Sequence, residues 1–224
     1  MSQFTSIIFF KFKKNKFWAF KQMAFSNKHL YNNSGLIFHK HLGTGSGSGF
    51  SLWPDFSTYA ILTVWSSEKF YSDFLNNNNW LKKYISKSSS TRTLILNPYF
   101  TKGLWDGVNP FENNLDKNIL KKKVVVITRA KIRFSKLIQF WLSVPKASRA
   151  ILKSKGVLFY KGIGELPFIH QATLSIWRNE FDINQFAYAK KDHSDIIKKT
   201  RNNNWYGEDM FTRFYLISDS ENLS

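Results

Sequence analysis

Gly35-Leu36-Ile37-Phe38-His39-Lys40-His41-Leu42-Gly43 and Gly156-Val157-Leu158-Phe159-Tyr160-Lys161-Gly162-Ile163-Gly164 are two versions of one segment. Four of the nine positions are identical and three more are aliphatic in both, at a shift of 156 − 35 = 121. Upstream, Phe17-Trp18 matches Phe140-Trp141 at 140 − 17 = 123. Downstream, Ala60-Ile61-Leu62-Thr63-Val64-Trp65 matches Ala172-Thr173-Leu174-Ser175-Ile176-Trp177 at 172 − 60 = 112. Three matches in one order point to an internal duplication. The shorter last shift places about nine extra residues after Gly43 in the first copy, where Gly43-Thr44-Gly45-Ser46-Gly47-Ser48-Gly49-Phe50 stands.

Periodicity turns each copy into elements. Alternating or continuous Ile, Val and Phe predict strands over 5–12, 35–42, 58–65 and 91–97, the last ending at Pro98. Helical spacing predicts helices over 15–27 and 67–87. The second copy gives strands over 123–130, 156–162, 170–177 and 210–217, with helices over 134–152 and 181–201. Pro145 predicts a kink or early break in the first of these helices. The order β-α-β-β-α-β, twice, is the ferredoxin-like plan. The expectation is an α+β protein of tandem ferredoxin-like repeats, two antiparallel sheets facing each other in a dimeric α/β-barrel-like arrangement within one chain. Residues 1–100 form the first lobe, 101–121 a polar linker and 122–224 the second lobe.

Composition narrows the chemistry. Hydrophobic residues at 43% and aromatics at 17% of 224 positions supply a core, so the chain folds. The absence of cysteine excludes disulfides, zinc–thiolate and iron–sulfur sites, and a thiolate-ligated heme. The apolar block Ser6–Phe10 is broken by Lys11, Lys13 and Lys14 and is too short for a signal-peptide core. No run approaches the roughly 20 apolar residues of a membrane helix. The expected setting is cytoplasmic and soluble. A net charge of +18 suits an anionic partner, including peripheral contact with an anionic inner membrane.

The glycine-rich run is not a P-loop, because no Gly-Lys-Ser/Thr follows, and it opens no helix. It reads as a mobile inter-strand loop or as a rim over a pocket between the sheets. No His-Glu-x-x-His, Ser-His-Asp order or carboxylate pair is present. On the expected helix 181–201, Phe186, Ala189, His193, Ile196, Ile197 and Thr200 share a face. His193 is therefore either a hydrogen-bonded core histidine or an axial ligand to iron. His170 opens a strand after Pro167-Phe168-Ile169 and is a packing residue or a cavity-facing distal candidate. His29, His39 and His41 read as exposed or structural, and Trp65 and Trp177 as equivalent residues packing sheet against helix.

One set of blocks runs through Phe17–Met23, Phe38-x-Lys40 running into Leu42–Gly45, Gly49-Phe50 and Tyr59–Leu62. It continues through Arg129-Ala130-x-Ile132-Arg133, Phe140-Trp141, Val144-Pro145, Lys161–Glu165 with Pro167, Thr173–Trp177, Phe186-Ala187, His193 and Trp205-Tyr206. On these blocks the chain resembles the spheroidene monooxygenase family. Trp53-Pro54-Asp55-Phe56 departs from the family's more Pro/Asn-rich loop, and the family's Arg/Ala-rich helices are lacking. The resemblance implies a heme b-dependent monooxygenase that uses O2 and an external electron donor such as ferredoxin. Its substrate would be an acyclic or monocyclic carotenoid, given a keto group at C-2. A weaker similarity, to ferredoxin-like heme enzymes with a proximal histidine on the second helix of the repeat, puts His193 on the heme iron. The competing classes are a non-catalytic heme-binding module and an RNA-binding ferredoxin-like module. Nucleic acid is disfavoured, because no Arg/Lys-Gly-Phe-x-Phe pattern marks the strands.

Overall fold

The computed structural model describes residues 3–47, 50–113, 123–166, 168–189 and 203–223. Its strands are β1 (Phe4–Lys11), β2 (Leu36–Gly45), β3 (Pro54–Trp65), β4 (Ser90–Gly103), β5 (Val124–Ile132), β6 (Val157–Leu166), β7 (His170–Trp177) and β8 (Tyr206–Leu223). They close into one antiparallel barrel in the order β1-β3-β2-β6-β7-β5-β8-β4. Helices α1 (Lys16–Leu30), α2 (Glu68–Asn77) and α3 (Asn79–Lys87) lie in the first half, and α4 (Leu137–Leu152) and α5 (Glu180–Asn184) in the second.

The strands read as near-continuous apolar runs because both faces are used. In β1, Ile7 and Phe9 point into the barrel with Leu62, Leu94, Ile127 and Leu174. Ile8 and Phe10 point outward to residues of the helix layer such as Ala19, Leu81 and Tyr84. Each large apolar side chain so buried contributes roughly 1.5–3 kcal/mol relative to exposure.

The two similar segments, 35–43 and 156–164, occupy matching places. Gly35 and Gly156 precede β2 and β6 with φ of 74° and 91°, a left-handed backbone that only glycine adopts without strain. A Cβ on Gly35 would collide with the Phe70 ring, and one on Gly156 with the Asp182 carboxylate. Their carbonyls accept from Ser66 N at 2.8 Å and Arg178 N at 2.9 Å, just past β3 and β7. The two seams between the halves differ. β4 and β8 pair from Ser90 opposite Leu223 to Gly103 opposite Met210. β2 and β6 meet only through Gly43 opposite Gly164 and Thr44 opposite Ile163.

Several expectations are corrected. The strands form a single closed barrel rather than two facing sheets, because β2–β6 and β4–β8 join the edges. The helix expected over 67–87 is two helices, since the Asn78 side chain accepts from Leu81 N at 2.9 Å and starts α3 afresh. Pro98 does not end β4, which passes it at an irregularity between Pro98 and Phe100. Pro145 stays within α4, on its exposed side. The strand expected over 210–217 runs from Tyr206 to Leu223. Of the helix expected over 181–201, α5 and a π-type turn over Gln185–Ala189 are described, and 190–202 lie outside the described residues.

Candidate functional site

One end of the barrel is closed by residues 104–113, part of the segment expected as a polar linker. Trp105 and Phe111 are buried there in the barrel core. The Trp105 indole N–H donates to Glu165 Oε1 at 2.7 Å, and Lys40 Nζ donates to Glu165 Oε2 at 2.8 Å. Arg129, 1% exposed, reaches Asp106 Oδ1 at 2.8 Å and also binds Glu208, while Lys40 pairs with Asp106. Glu208 further accepts the backbone N–H groups of Asp106 and Gly107 at 2.9 and 2.7 Å. Burial alone would raise the Asp106 and Glu208 carboxyls. For Asp106 the Lys40 hydrogen bond and the Lys40 and Arg129 charges outweigh it. For Glu208 the two backbone donors and Arg129 do, so both are held below the ordinary carboxylate range.

His170 sits in this network. It shares the interior parity of Ala172, Leu174 and Ile176 on β7 and lies beside Asp106 and Glu165. Burial lowers its imidazole, Glu165 opposes that, and Arg129 adds to it. Asp106, Glu165 and His170 are close enough to share a cation, yet Lys40 and Arg129 already neutralise both carboxylates. The cluster is a barrel closure.

The opposite end has no such cover among the described residues. A cavity of about 500 Å³ opens there between Phe9, Arg92, Val157, Phe159 and Lys161, with Gly47 of the glycine-rich loop on its rim. Arg92 binds Asp219 through two 2.8 Å hydrogen bonds and lies 4.6 Å from the Phe159 ring centre. Lys161 donates to Gly47 O at 3.0 Å.

The outer faces of the two half-sheets differ most. On the first, Ile8, Phe10, His41, Tyr59 and Ile61 are all buried beneath the helices. His41 Nε2 lies 3.1 Å from the Tyr84 hydroxyl, and burial pushes its pKa to about 3, so it is a neutral structural residue. His39 is bonded to Asn27 Oδ1 at 3.2 Å, and His29 stacks on Trp80. With the registers that place Trp65 opposite Phe4 and Trp177 opposite Val124, the equivalents on the second half-sheet are Thr128, Ala130, Gly162, Gln171 and Thr173. These side chains are short or polar. Thr128 is exposed and Gln171 and Thr173 are half-buried. The bulky side chains of one outer face are thus replaced by shorter or polar ones on the other, which makes the outer face of the second half-sheet the candidate slot.

Aromatic residues edge that slot. Ile132, Phe140, Val144 and Trp205 form one buried cluster, with Phe50, Trp141 and Tyr206 against it. Trp177, Ile183 and Phe186 belong to a second cluster. Trp205 is 1% exposed, and its indole N–H has no hydrogen-bond partner among the described residues. A buried donor left open costs about 1–3 kcal/mol, so it marks a place where a ligand acceptor is worth most. His193, the candidate axial ligand, lies outside the described residues. The residues that sequence reasoning missed are the small ones. Thr128, Ala130 and Gly162 carry no chemistry, and only their comparison with Ile8, Phe10 and His41 in the aligned repeat could have found them.

No protein-family model matches the chain. It is 33% identical over 201 residues to a spheroidene monooxygenase of Rhodobacter capsulatus, covering 89% of this chain and 83% of that protein. A spheroidene monooxygenase of Cereibacter sphaeroides is 30% identical over 213 residues, covering 95% of this chain and 65% of the relative. One from Rubrivivax gelatinosus is 26% identical over 204 residues, 91% of this chain and 77% of the relative. Among solved structures, an aldoxime dehydratase in complex with butyraldoxime superposes with a TM-score of 0.61 at 6% identity, covering 99% of this chain and 82% of that one. A second aldoxime dehydratase gives 0.53 at 8% identity, covering 96% and 80%. These two likenesses concern the fold alone.

Proposed function

The chain belongs to the spheroidene monooxygenase family, and from that premise we propose that it converts C-2 of an acyclic or monocyclic carotenoid into a ketone, with heme b seated on the outer face of the second half-sheet. The 33% identity across most of both chains carries this reading. It makes the protein an oxygenase; substrate and cofactor are our inference. We read the two halves, 1–100 and 122–224, as ferredoxin-like repeats joined by 101–121, supported by the equivalent glycines and tryptophans.

The residues present fit a flat macrocycle. Thr128, Ala130 and Gly162 carry less bulk than Ile8, Phe10 and His41, which supports a flat group on this face, and the Trp205 N–H has no hydrogen-bond partner among the described residues. His193 is the residue we assign to hold the iron. It is the sole histidine on the expected helix 181–201, and no cysteine competes. Bound heme supplies the activation of dioxygen.

The chain's own residues bind, orient and dry the site. Phe140, Trp141 and Trp205 give an apolar wall on which a polyene end can be held, and positioning alone is worth several orders of magnitude in rate. Two successive hydroxylations at one carbon give a gem-diol, which loses water to a ketone. Each takes one O2, two electrons and two protons and releases one water. The electrons come from an external donor such as a reduced ferredoxin, for which a +18 surface is suited. His170 lies on the interior side of β7, opposite the slot, and we assign it to barrel closure.

Incubating the heme-loaded protein with reduced ferredoxin, O2 and spheroidene tests the reading. Chromatography should show a C-2 ketone that is absent without O2. A heme-loaded, reducible protein that leaves spheroidene unchanged contradicts it.

A further inference from the structure

Along α4 and the turn before it, Phe134, Ile138 and Leu142 recur every four residues and form one stripe. They are 83%, 78% and 77% exposed, which is unusual for three large apolar residues in a row on a water-facing helix. The stripe has a basic frame. Between Arg133 and Lys155 the sequence carries Arg133, Lys136, Lys146, Arg149, Lys153 and Lys155 and no acidic residue. Beside α4, the loop after the glycine-rich run exposes Trp53 and Leu52. Between that loop and α4 lies a cavity of about 370 Å³ lined by Phe50, Leu52, Trp53, Trp141 and Val144.

We infer that the α4 stripe and the Trp53 loop form a docking surface for an anionic lipid bilayer, with the cavity between them opening toward the membrane. The charge pattern selects the occupant. A second copy of this chain, itself at +18, would bring a like-charged frame against this one. A bilayer bearing anionic headgroups neutralises the frame and takes the apolar stripe into its interface, as amphipathic helices do. The opposite side of α4 carries Phe140 and Val144 into the aromatic cluster beside the slot. A ligand dissolved in the bilayer therefore has a route past Phe50 and Trp141 without crossing water. That last step rests on the carotenoid reading, whereas the docking surface does not.

The test is flotation of the purified full chain with vesicles of phosphatidylglycerol and phosphatidylethanolamine, or of phosphatidylcholine alone. Wild type should bind the anionic vesicles at least about tenfold more tightly, and added salt should weaken that binding. The combined change Phe134→Ser, Ile138→Ser and Leu142→Ser should cut binding about tenfold or more with circular dichroism and melting temperature preserved, because all three face water. Lys136→Glu with Arg149→Glu should abolish the anionic preference and serves as a second probe that leaves the apolar stripe intact. The serine variant should oxidise detergent-dispersed carotenoid as wild type does and lose turnover of carotenoid presented in vesicles. Unchanged vesicle binding in both variants overturns the proposal. A wild-type dimer that the serine variant converts to monomer, without vesicle binding in either, also overturns it and assigns the face to a second copy. Vesicle binding that behaves as expected in a protein that oxidises no carotenoid would sink the functional reading and leave the docking surface standing.

Discussion

Trp65 and Trp177 close equivalent strands with the same internal bond: each indole N–H donates to the hydroxyl two residues earlier, Thr63 Oγ1 at 2.8 Å and Ser175 Oγ at 2.9 Å. Both indoles are buried, at 0% and 1% exposure, so each N–H needs that partner. Thr63→Val and Ser175→Ala should each destabilise the fold by about 1–3 kcal/mol, the cost of an unsatisfied buried donor. Urea unfolding monitored by tryptophan fluorescence measures it, and the two effects should agree within about 1 kcal/mol.

Glycine at 35 and 156 gives a second pair of matched probes. Gly35→Ala and Gly156→Ala combine a left-handed backbone with a collision, and each should cost about 2 kcal/mol or more. Gly47→Ala, at φ 72° with open space around it, should cost only about 1 kcal/mol. Thermal melts of the three variants rank them. A Gly47→Ala loss equal to the other two would remove the collision from the explanation.

The barrel closure should fail in acid. Asp106 and Glu208 have folded pKa values below their unfolded ones, so their contribution is complete above the unfolded carboxylate range and is lost as pH falls through the folded values. Stability should drop below roughly pH 4, and Asp106→Asn with Glu208→Gln should flatten that slope. Arg129→Met removes the buried guanidinium that binds Asp106 and Glu208 and should destabilise the fold at neutral pH by about 1.5–3 kcal/mol, the worth of hydrogen bonds to charged groups. His170→Ala should leave any heme spectrum as in wild type.

His41 acts in the same direction over a higher pH window. Its folded pKa is pushed down to about 3, below the ordinary histidine value. The stability tied to the neutral ring is therefore full at pH 7 and is lost as pH falls below the unfolded value of about 6.5. Its ring signals in a nuclear magnetic resonance titration should stay those of neutral imidazole at pH 5. A midpoint near 6.5 would mean that the first helix layer is open to water.

The equivalence of the Gly35 and Gly156 strands, and of Trp65 and Trp177, was legible in the sequence because glycine at a left-handed turn, and tryptophan at a strand end, are single residues whose geometry fixes their identity. A barrel-like arrangement was expected, but the edge-to-edge joining of the two half-sheets was not, since it depends on the short Gly43–Gly164 contact and on β4 continuing past Pro98, neither of which has a periodic signal. The segment 104–113 looked polar because Asp106, Gly107, Asn109, Glu112 and Asn113 outnumber Trp105 and Phe111, which join the barrel core. The candidate slot was invisible for a related reason. It is defined by what Thr128, Ala130 and Gly162 lack, and absence of bulk leaves no motif.

The account stands most directly on the absorption spectrum of the purified protein expressed with heme supply, recorded beside its His193→Ala variant. We predict a Soret band in the wild type that is lost or shifted in His193→Ala and partly restored by added imidazole. A wild type without bound heme, or a His193→Ala spectrum identical to it, contradicts the assignment of heme to the second half-sheet through His193.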